Sequence, residues 1–559
     1  MAKYNTKREK VVKRTTTHQG GSGYTQTPVN ELIGILSTGM TNNFYESETD
    51  REKRFKEVLA KVASKDKTFV AKALVYARTV FGQRSVTHFG AVELIPFLQG
   101  DNLGKRFFSK RMKNANKGGI IRRIDDMMEI LAAYFAKNGN DAPIPNSIKK
   151  GFKDAIENAD AYELAKYQMK NRGVSLIDIV NLVHPRETEK NGYVWISETK
   201  FAKAIKGTKF ENRDIIKDSK DGQVKIHALK ALVLGILTQF NTVEDKNTKA
   251  GQEVAKKVKS GSISKDEADK LLTEMKTDNF AELIKTKKIG YLALLRNLRN
   301  IIKTNDKSLI KSASNLLTNK DFIRKSLVWP HQIDLATEVL KSEGIKNYDV
   351  MSALSVAYEN SIPNLKNLLP EGRTAVVYDT SGSMQGGWGN PVQIDAKTKI
   401  KAKPVEKAAL IAATFAKGID GDVYQFGTST KIVNGYNPVD SINTIKTHFM
   451  NQIGKVGHGT FYGSIFPELD KVGGKYDRVI IITDEQGADE IESSYKRYSE
   501  KYGTPYVYFI NITGYAPVMT KENNRIFRLR GYSADIYEKI PKLELNMNEV
   551  INAIKAIEI

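Results

Sequence analysis

The stretch Thr374-Ala375-Val376-Val377-Tyr378-Asp379-Thr380-Ser381-Gly382-Ser383-Met384 decides how this chain is read. Ala375 to Tyr378 is a short apolar run of the kind that forms a buried strand. It ends in Asp-Thr-Ser-Gly-Ser, so Asp379, Ser381 and Ser383 place three small oxygen-bearing side chains at alternate positions. A loop leaving the end of a buried strand can aim all three at one point. Mg²⁺ takes oxygen ligands and keeps several waters, so one carboxylate and two hydroxyls make a partial shell. The same residues also suit a ligand-free Asx/Ser turn.

Two later segments add to this pattern. Gly457-His458-Gly459-Thr460 is a Gly-rich turn offering another hydroxyl, and Asp477-Arg478-Val479-Ile480-Ile481-Ile482-Thr483-Asp484 is a second buried strand ending in a carboxylate. Together they resemble the metal-ion-dependent adhesion site of von Willebrand factor A domains. That resemblance implies that Ser381, Ser383 and Thr460 contact a divalent cation, Mg²⁺ being the expected one. It implies that Asp379 and Asp484 reach the cation directly or through water, with one coordination position open to a partner's carboxylate.

At 559 residues the chain is long enough for two to four domains. Its formal net charge is +23, and residues 1–370 carry +22 of it, with 64 basic against 42 acidic residues. Residues 371–559 are nearly neutral, at 23 against 22. The asymmetry points to a polyanion partner for the first part, nucleic acid above all. A Lys-rich solvated surface is the plainer alternative. With no cysteine, disulfides, thiolate zinc sites and Cys nucleophiles are excluded. No apolar run is long enough to span a bilayer and no signal-peptide pattern is present, so a cytoplasmic protein is expected.

Residues 1–28 read as a disordered basic arm, with Lys3, Lys7, Arg8, Lys10, Lys13 and Arg14 facing only Glu9 before Gly20-Gly21-Ser22-Gly23. Residues 29–370 read as helical: apolar residues recur at three and four, as in Phe55, Val58, Leu59 and Val62. Strand signals are scarce there. Ser264-Lys265-Asp266-Glu267 is a capping box. About 340 residues of short helices suggest a solenoid of helix pairs, although no clean repeat period is visible. Residues 371–559 alternate strands and helices, with strands at 423–426, 479–483 and 506–510, an edge strand at 525–529 and a closing helix at 550–557. That order predicts a doubly wound α/β sheet with its ligand site at the carboxyl ends of the strands.

The helical part carries a second resemblance. In order it contains Asn42-Asn43-Phe44-Tyr45-Glu46-Ser47, Phe69 through Arg78, Arg172-Gly173-Val174-Ser175, His184-Pro185, Leu294-Leu295-Arg296-Asn297-Leu298 and Trp329-Pro330-His331-Gln332. Followed by the metal-site domain, this set is similar to the TROVE module of the Ro autoantigen family and its bacterial and phage relatives. The resemblance implies a ring of HEAT-like helical repeats closed by the von Willebrand A domain. It implies small structured Y-like RNA on the basic outer surface and single-stranded RNA ends in a central hole. RNA quality control or processing, a monomeric ring and an exoribonuclease partner follow from the same likeness.

By that likeness the segment Lys166 to His184 is the Y RNA contact region, and His184, Lys170 and Arg172 are carried over, with Lys166 one helical turn before Lys170. Arg78 and Arg84 are assigned to the ring interior. Arg122 and Arg123 also lie near, but Asp125 and Asp126 are expected to pair with them. Aromatic stacking should assist single strands, though no particular Tyr or Phe is singled out. The leading expectation is thus a non-catalytic RNA-binding scaffold. The alternative is a metal-dependent protein-binding module on a helical scaffold. A metal-dependent hydrolase ranks last, because no general base accompanies the oxygen cluster at useful spacing.

Overall fold

The structure, a computed structural model, describes residues 13–39, 46–100, 102–112, 117–167, 173–211, 214–237, 253–286, 289–326, 328, 330–361, 369–385, 403–417, 421–531, 535–545 and 548–559. The chain divides into two compact units. One is Met1–Val62 with Ala313–Ala553; the other is Ala63–Ser312 with the last residues Ile554–Ile559. The sequence places the division near residue 370. The structure moves it upstream because segments on both sides of that point pack with the sheet.

The strands in chain order are β1 (Arg14–Thr16), β2 (Ser22–Tyr24), β3 (Arg111–Met112), β4 (Lys117–Gly118), β5 (Tyr193–Ser197), β6 (Ile216–Lys220), β7 (Gln223–His227), β8 (Thr374–Asp379), β9 (Gly421–Phe426), β10 (Thr430–Ile432), β11 (Arg478–Thr483), β12 (Tyr506–Asn511) and β13 (Ile526–Arg530). The α/β unit is built on a six-stranded sheet ordered β10-β9-β8-β11-β12-β13. All neighbours are parallel except β10, which returns antiparallel to β9 as an edge hairpin. β8 and β11 lie side by side at the centre, and every residue of both is buried. Strands covered on both faces can be apolar throughout, which is why both read as unbroken apolar runs.

Alternate residues serve the two layers. Ala375, Val377, Val479, Ile481, Val507 and Phe509 join Phe466 and Tyr498 in one core. On the other side, helix Pro404–Ala416 packs against β8, β9 and β11, and the Tyr378 ring stacks on Phe449 with centroids 5.4 Å apart.

Of the basic arm expected to be disordered over residues 1–28, residues 1–12 lie outside the described residues, and residues 13–28 are structured. β1 and β2 form an antiparallel hairpin, Tyr24 bridges to Val518, and the Gln26 amide donates to the carbonyls of Tyr515 and Ala516 at 3.1 and 3.0 Å. Thr15, Thr16, Thr17 and Tyr24 have the side chains and extended preference that a strand uses, and the sheet unit supplies the remaining backbone partners. Helices Pro330–Ser342 and Tyr348–Asn360 also belong to this unit, tied by Lys446 to Asp334 at 2.8 Å and Lys417 to Glu359 at 3.3 Å.

The second unit is mainly helical. Helix Ser85–Leu94 packs with Asp125–Asn138, and Asn146–Glu157 with Leu176–Val183. The capping box at Ser264 forms as expected: its hydroxyl accepts from Glu267 N at 3.2 Å while the Glu267 carboxylate accepts from Ser264 N at 2.8 Å. This unit also holds a three-stranded antiparallel sheet, β5-β7-β6, where strands were not anticipated. Its turn is Asp221-Gly222 with φ of 51° and 70°. Asp-Gly is the dipeptide that a two-residue hairpin with two positive φ angles selects.

Candidate functional site

The carboxyl ends of β8 and β11 meet because the two strands are parallel and in register, Tyr378 opposite Ile482. The next residues, Asp379 and Thr483, are therefore neighbours, and the Thr483 hydroxyl donates to Asp379 Oδ2 at 2.6 Å. The other oxygen, Oδ1, accepts from Ser381 N at 2.9 Å, which closes the loop into an Asx turn. That turn brings the Ser381 and Ser383 hydroxyls 3.3 Å apart. Thr460 arrives from a third loop. Gly457 sits at φ +77°, where a side chain is strained. The His458 carbonyl then accepts from Gly382 N at 2.9 Å, locking this loop to the Asp379 loop.

All five residues expected at the metal site, Asp379, Ser381, Ser383, Thr460 and Asp484, are buried. Buried polar atoms normally have partners. Here the Thr460 hydroxyl and Asp484 Oδ2 have none, although both are enclosed. Burial raises Asp379 above the ordinary carboxylate range, against hydrogen bonds from Ser381 and Thr483. Burial raises Asp484 as well, and the Asp379 charge adds to it. Two enclosed carboxylates that repel each other, with an unpartnered hydroxyl and carboxylate oxygen beside them, are a donor set that suits a hard divalent cation. Among the described residues no three His, Asp or Glu side chains are grouped as a metal cluster; this donor set is two carboxylates and three hydroxyls.

One supporting pair was not anticipated. Glu485 follows Asp484 at φ 58°, in the left-handed region, and its carboxylate accepts from Arg528 Nε at 2.8 and 2.9 Å and from Asn511 Nδ2 at 2.9 Å. Glu485 and Arg528 are both buried. They pin the backbone directly after Asp484, so that Gln486 N donates to Asp484 Oδ1 at 3.0 Å. Arg528 inside the apolar run Ile526-Phe527-Arg528-Leu529 was the sequence signal, since a charge on a buried strand needs a partner. The arm hairpin grips the same loop: the Thr17 hydroxyl donates to the Gly487 carbonyl at 2.5 Å, and His18 N to Gln486 Oε1 at 3.0 Å.

The residues expected at RNA are spread across the helical unit. Arg78 requires correction. It is buried, and its guanidinium donates to both oxygens of Asp126 at 3.0 and 3.1 Å. Asp126 also accepts from Arg84 at 3.2 Å, from the backbone N–H groups of Arg122 and Arg123 at 3.1 and 2.9 Å, and faces His88 Nε2 at 3.1 Å. Arg78 is thus an internal structural cation. Burial works to raise Asp126, but the His88 hydrogen bond and the Arg78 and Arg84 charges outweigh it and hold the carboxyl far below its usual range. Burial lowers His88, against the hydrogen bond and charge of Asp126.

Arg84 is half-buried and pairs with Asp125 at 2.7 Å. Asp125 also binds Arg123 at 3.0 Å, Arg123 stands over the Tyr167 ring at 5.0 Å, and Lys166 lies over Tyr162 and Tyr167 at 5.2 and 5.6 Å. The structure therefore links Arg84 and Lys166 through Asp125, Arg123 and Tyr167. Lys166 is the last residue of helix Ala161–Lys166. Lys170 and Arg172 lie outside the described residues. His184 is exposed and caps helix Leu176–Val183 in the left-handed conformation, φ 44° and ψ 65°.

Among the described residues no helix is long and apolar enough to cross a membrane. No protein-family model matches the chain, and no curated protein matches its sequence. Solved structures do match. The Ro (RSR) protein of Deinococcus radiodurans aligns over 93% of this chain and 100% of its own, at 15% identity and TM-score 0.54. A proximal thread matrix protein from the mussel byssus covers 32% of this chain and 48% of its own at 16% identity, with a TM-score of 0.21. The chain therefore shares the fold of the Deinococcus radiodurans Ro protein, with a helical part followed by an α/β part built on a mostly parallel sheet.

Proposed function

We propose that this protein is a non-catalytic RNA-binding scaffold of the Ro kind. One observation carries the reading: the unit Ala63–Ser312 with Ile554–Ile559 holds 48 Lys and Arg against 30 Asp and Glu, so +18 of the net +23 sits on the helical unit. A positive field of that size binds phosphate backbones by counterion release. The fold likeness supports assigning that field to RNA. In this reading Lys166, Lys170, Arg172 and His184 contact small structured Y-like RNA, and Arg84 stays assigned to the single-stranded ends. Single-stranded RNA ends are the second ligand, an exoribonuclease is a candidate partner, and the protein works as a cytoplasmic monomer in RNA quality control or processing.

The α/β unit holds a divalent cation, Mg²⁺, between Asp379, Ser381, Ser383, Thr460 and Asp484. The unpartnered Thr460 hydroxyl and Asp484 oxygen support this assignment. The bound cation supplies a positive centre that can take a carboxylate from a partner. The protein's own residues hold that point enclosed and keep the three loops in place. The same cluster favours a second reading, a protein-binding module whose partner docks through the metal.

Purifying the protein from its own host and sequencing the RNA that accompanies it tests the first reading. One abundant stem-containing small RNA, retained in moderate salt and in EDTA, is the expected result. Absence of RNA, with EDTA-sensitive capture of a protein, would transfer the function to the metal-dependent module.

A further inference from the structure

The β5-β7-β6 sheet carries exposed aromatic side chains on one face. Tyr193 and Trp195 are separated by one residue on β5 and are 43% and 40% exposed. Alternate residues of a strand share a face, about 7 Å apart. Lys225 is the cross-strand partner of Trp195. Its ammonium stands 5.7 Å from the Trp195 ring centroid and 5.9 Å from that of Tyr193. The opposite face is the buried one, with Ile196, Val224 and Ile226 turned inward. Tyr193 also meets the buried His227 ring edge-on at 5.5 Å, and the area of two neighbouring large rings that stays exposed on one face is of the kind that marks an interaction surface.

The charge around the rings selects the occupant. Residues 193–227 hold eight Lys and Arg against five Asp and Glu. On the ring face, Lys225 and Lys220 accompany one carboxylate, Asp218, which is the partner of Lys225 on β6. Flat rings in a row beside ammonium groups match alternating bases and phosphates, since every base has a π-face and every linkage a negative charge. We propose that this face binds single-stranded RNA, with bases stacked on Tyr193 and Trp195 and Lys225 at the intervening phosphate. The proposal rests on the RNA-binding reading above and names a site for its single-stranded ligand.

The test uses the full-length protein and a labelled oligouridylate of about twelve nucleotides, within the span of known single-strand sites. Anisotropy at fixed moderate salt gives the affinity, and a blunt stem-loop RNA serves as the second probe. Trp195→Ala is expected to weaken oligouridylate binding about 5- to 100-fold, the range for loss of one stacked base. Trp195→Phe should restore most of it. Lys225→Ala should lower the salt slope by about one. Stem-loop affinity and thermal melting should not change in any variant.

Wild-type protein that binds the stem-loop but not the oligouridylate would overturn the proposal and leave the RNA reading standing. So would oligouridylate affinity unchanged in both Trp195→Ala and Lys225→Ala. Failure of both probes would overturn both. Loss of self-association in Trp195→Ala, with RNA affinity intact, would assign the face to a second copy of the chain instead.

Discussion

Replacing Asp126 with Asn tests the finding that Arg78 is structural. Asp126 is wholly enclosed, and Arg78 is nearly so. The carboxylate also receives Arg84, His88 and two backbone N–H groups. Asn keeps the shape and some of the hydrogen bonds but leaves Arg78 buried without a counter-charge. Removing one member of a buried ion pair costs about 3–5 kcal/mol. Arg84 adds less, because its side chain is 30% exposed and water screens it. A chain of two units need not unfold in one step, so the readout should be local. Hydrogen exchange of peptides covering residues 74–90 and 120–134 should lose protection by roughly 100- to 4,000-fold, the factor for about 3–5 kcal/mol of local stability. Peptides from the sheet unit should not change. Protection within threefold of wild type in the first two regions would refute the argument.

The pH dependence of the same peptides has a definite sign. Asp126 is depressed in the folded state, so its contribution is complete above its unfolded value of about 3.9 and is lost as pH falls below that. His88 is also depressed, so protonation in the unfolded chain erodes stability as pH falls below about 6.5. Wild-type protection, corrected for intrinsic rates, should therefore decline from about pH 6.5 downward. The Asn variant should lack the part below about pH 4.

Three further outcomes are expected. Titration with Mg²⁺ or Mn²⁺ should show binding that Asp379→Ala or Asp484→Ala abolishes; equal binding by the variants would dismiss the site. Gly21→Ala should release the arm hairpin, because an added Cβ would meet the Gly487 carbonyl at 2.3 Å, and trypsin should then cut at Lys13 and Arg14 at least about tenfold faster, the factor for about 1.4 kcal/mol of local opening. Unaltered cleavage would mean the hairpin is not held there. His184→Ser combined with Lys170→Ala should weaken a stem-containing RNA by about tenfold or more in filter binding while thermal melting is unchanged, consistent with charged contacts worth about 1.5–3 kcal/mol; unchanged affinity would remove both residues from the surface.

Local chemistry alone made the α/β part legible. Ala375–Tyr378 and Val479–Ile482 are apolar on every residue, so they had to be covered on both faces, and Asp379-Thr380-Ser381 closes its own turn within three residues. The Asp221-Gly222 hairpin and the alternating Tyr193-Val194-Trp195-Ile196 were equally local signals, masked by the helical pattern on either side. The tertiary structure decided what depends on distant partners. The register of β8 against β11 brings Asp484 to Asp379, and the bond from Gly382 N to the His458 carbonyl brings the Thr460 loop there, both from more than eighty residues away. Arg78 and Arg84 resemble free basic side chains until the fold encloses Asp126 between them. The arm's polar backbone becomes a hairpin only because the loop after Asp484 accepts its hydrogen bonds. A side chain's spacing along the chain determines which face it occupies; what stands opposite that face, and so whether a charge meets a carboxylate or solvent, is set by packing between segments far apart in sequence.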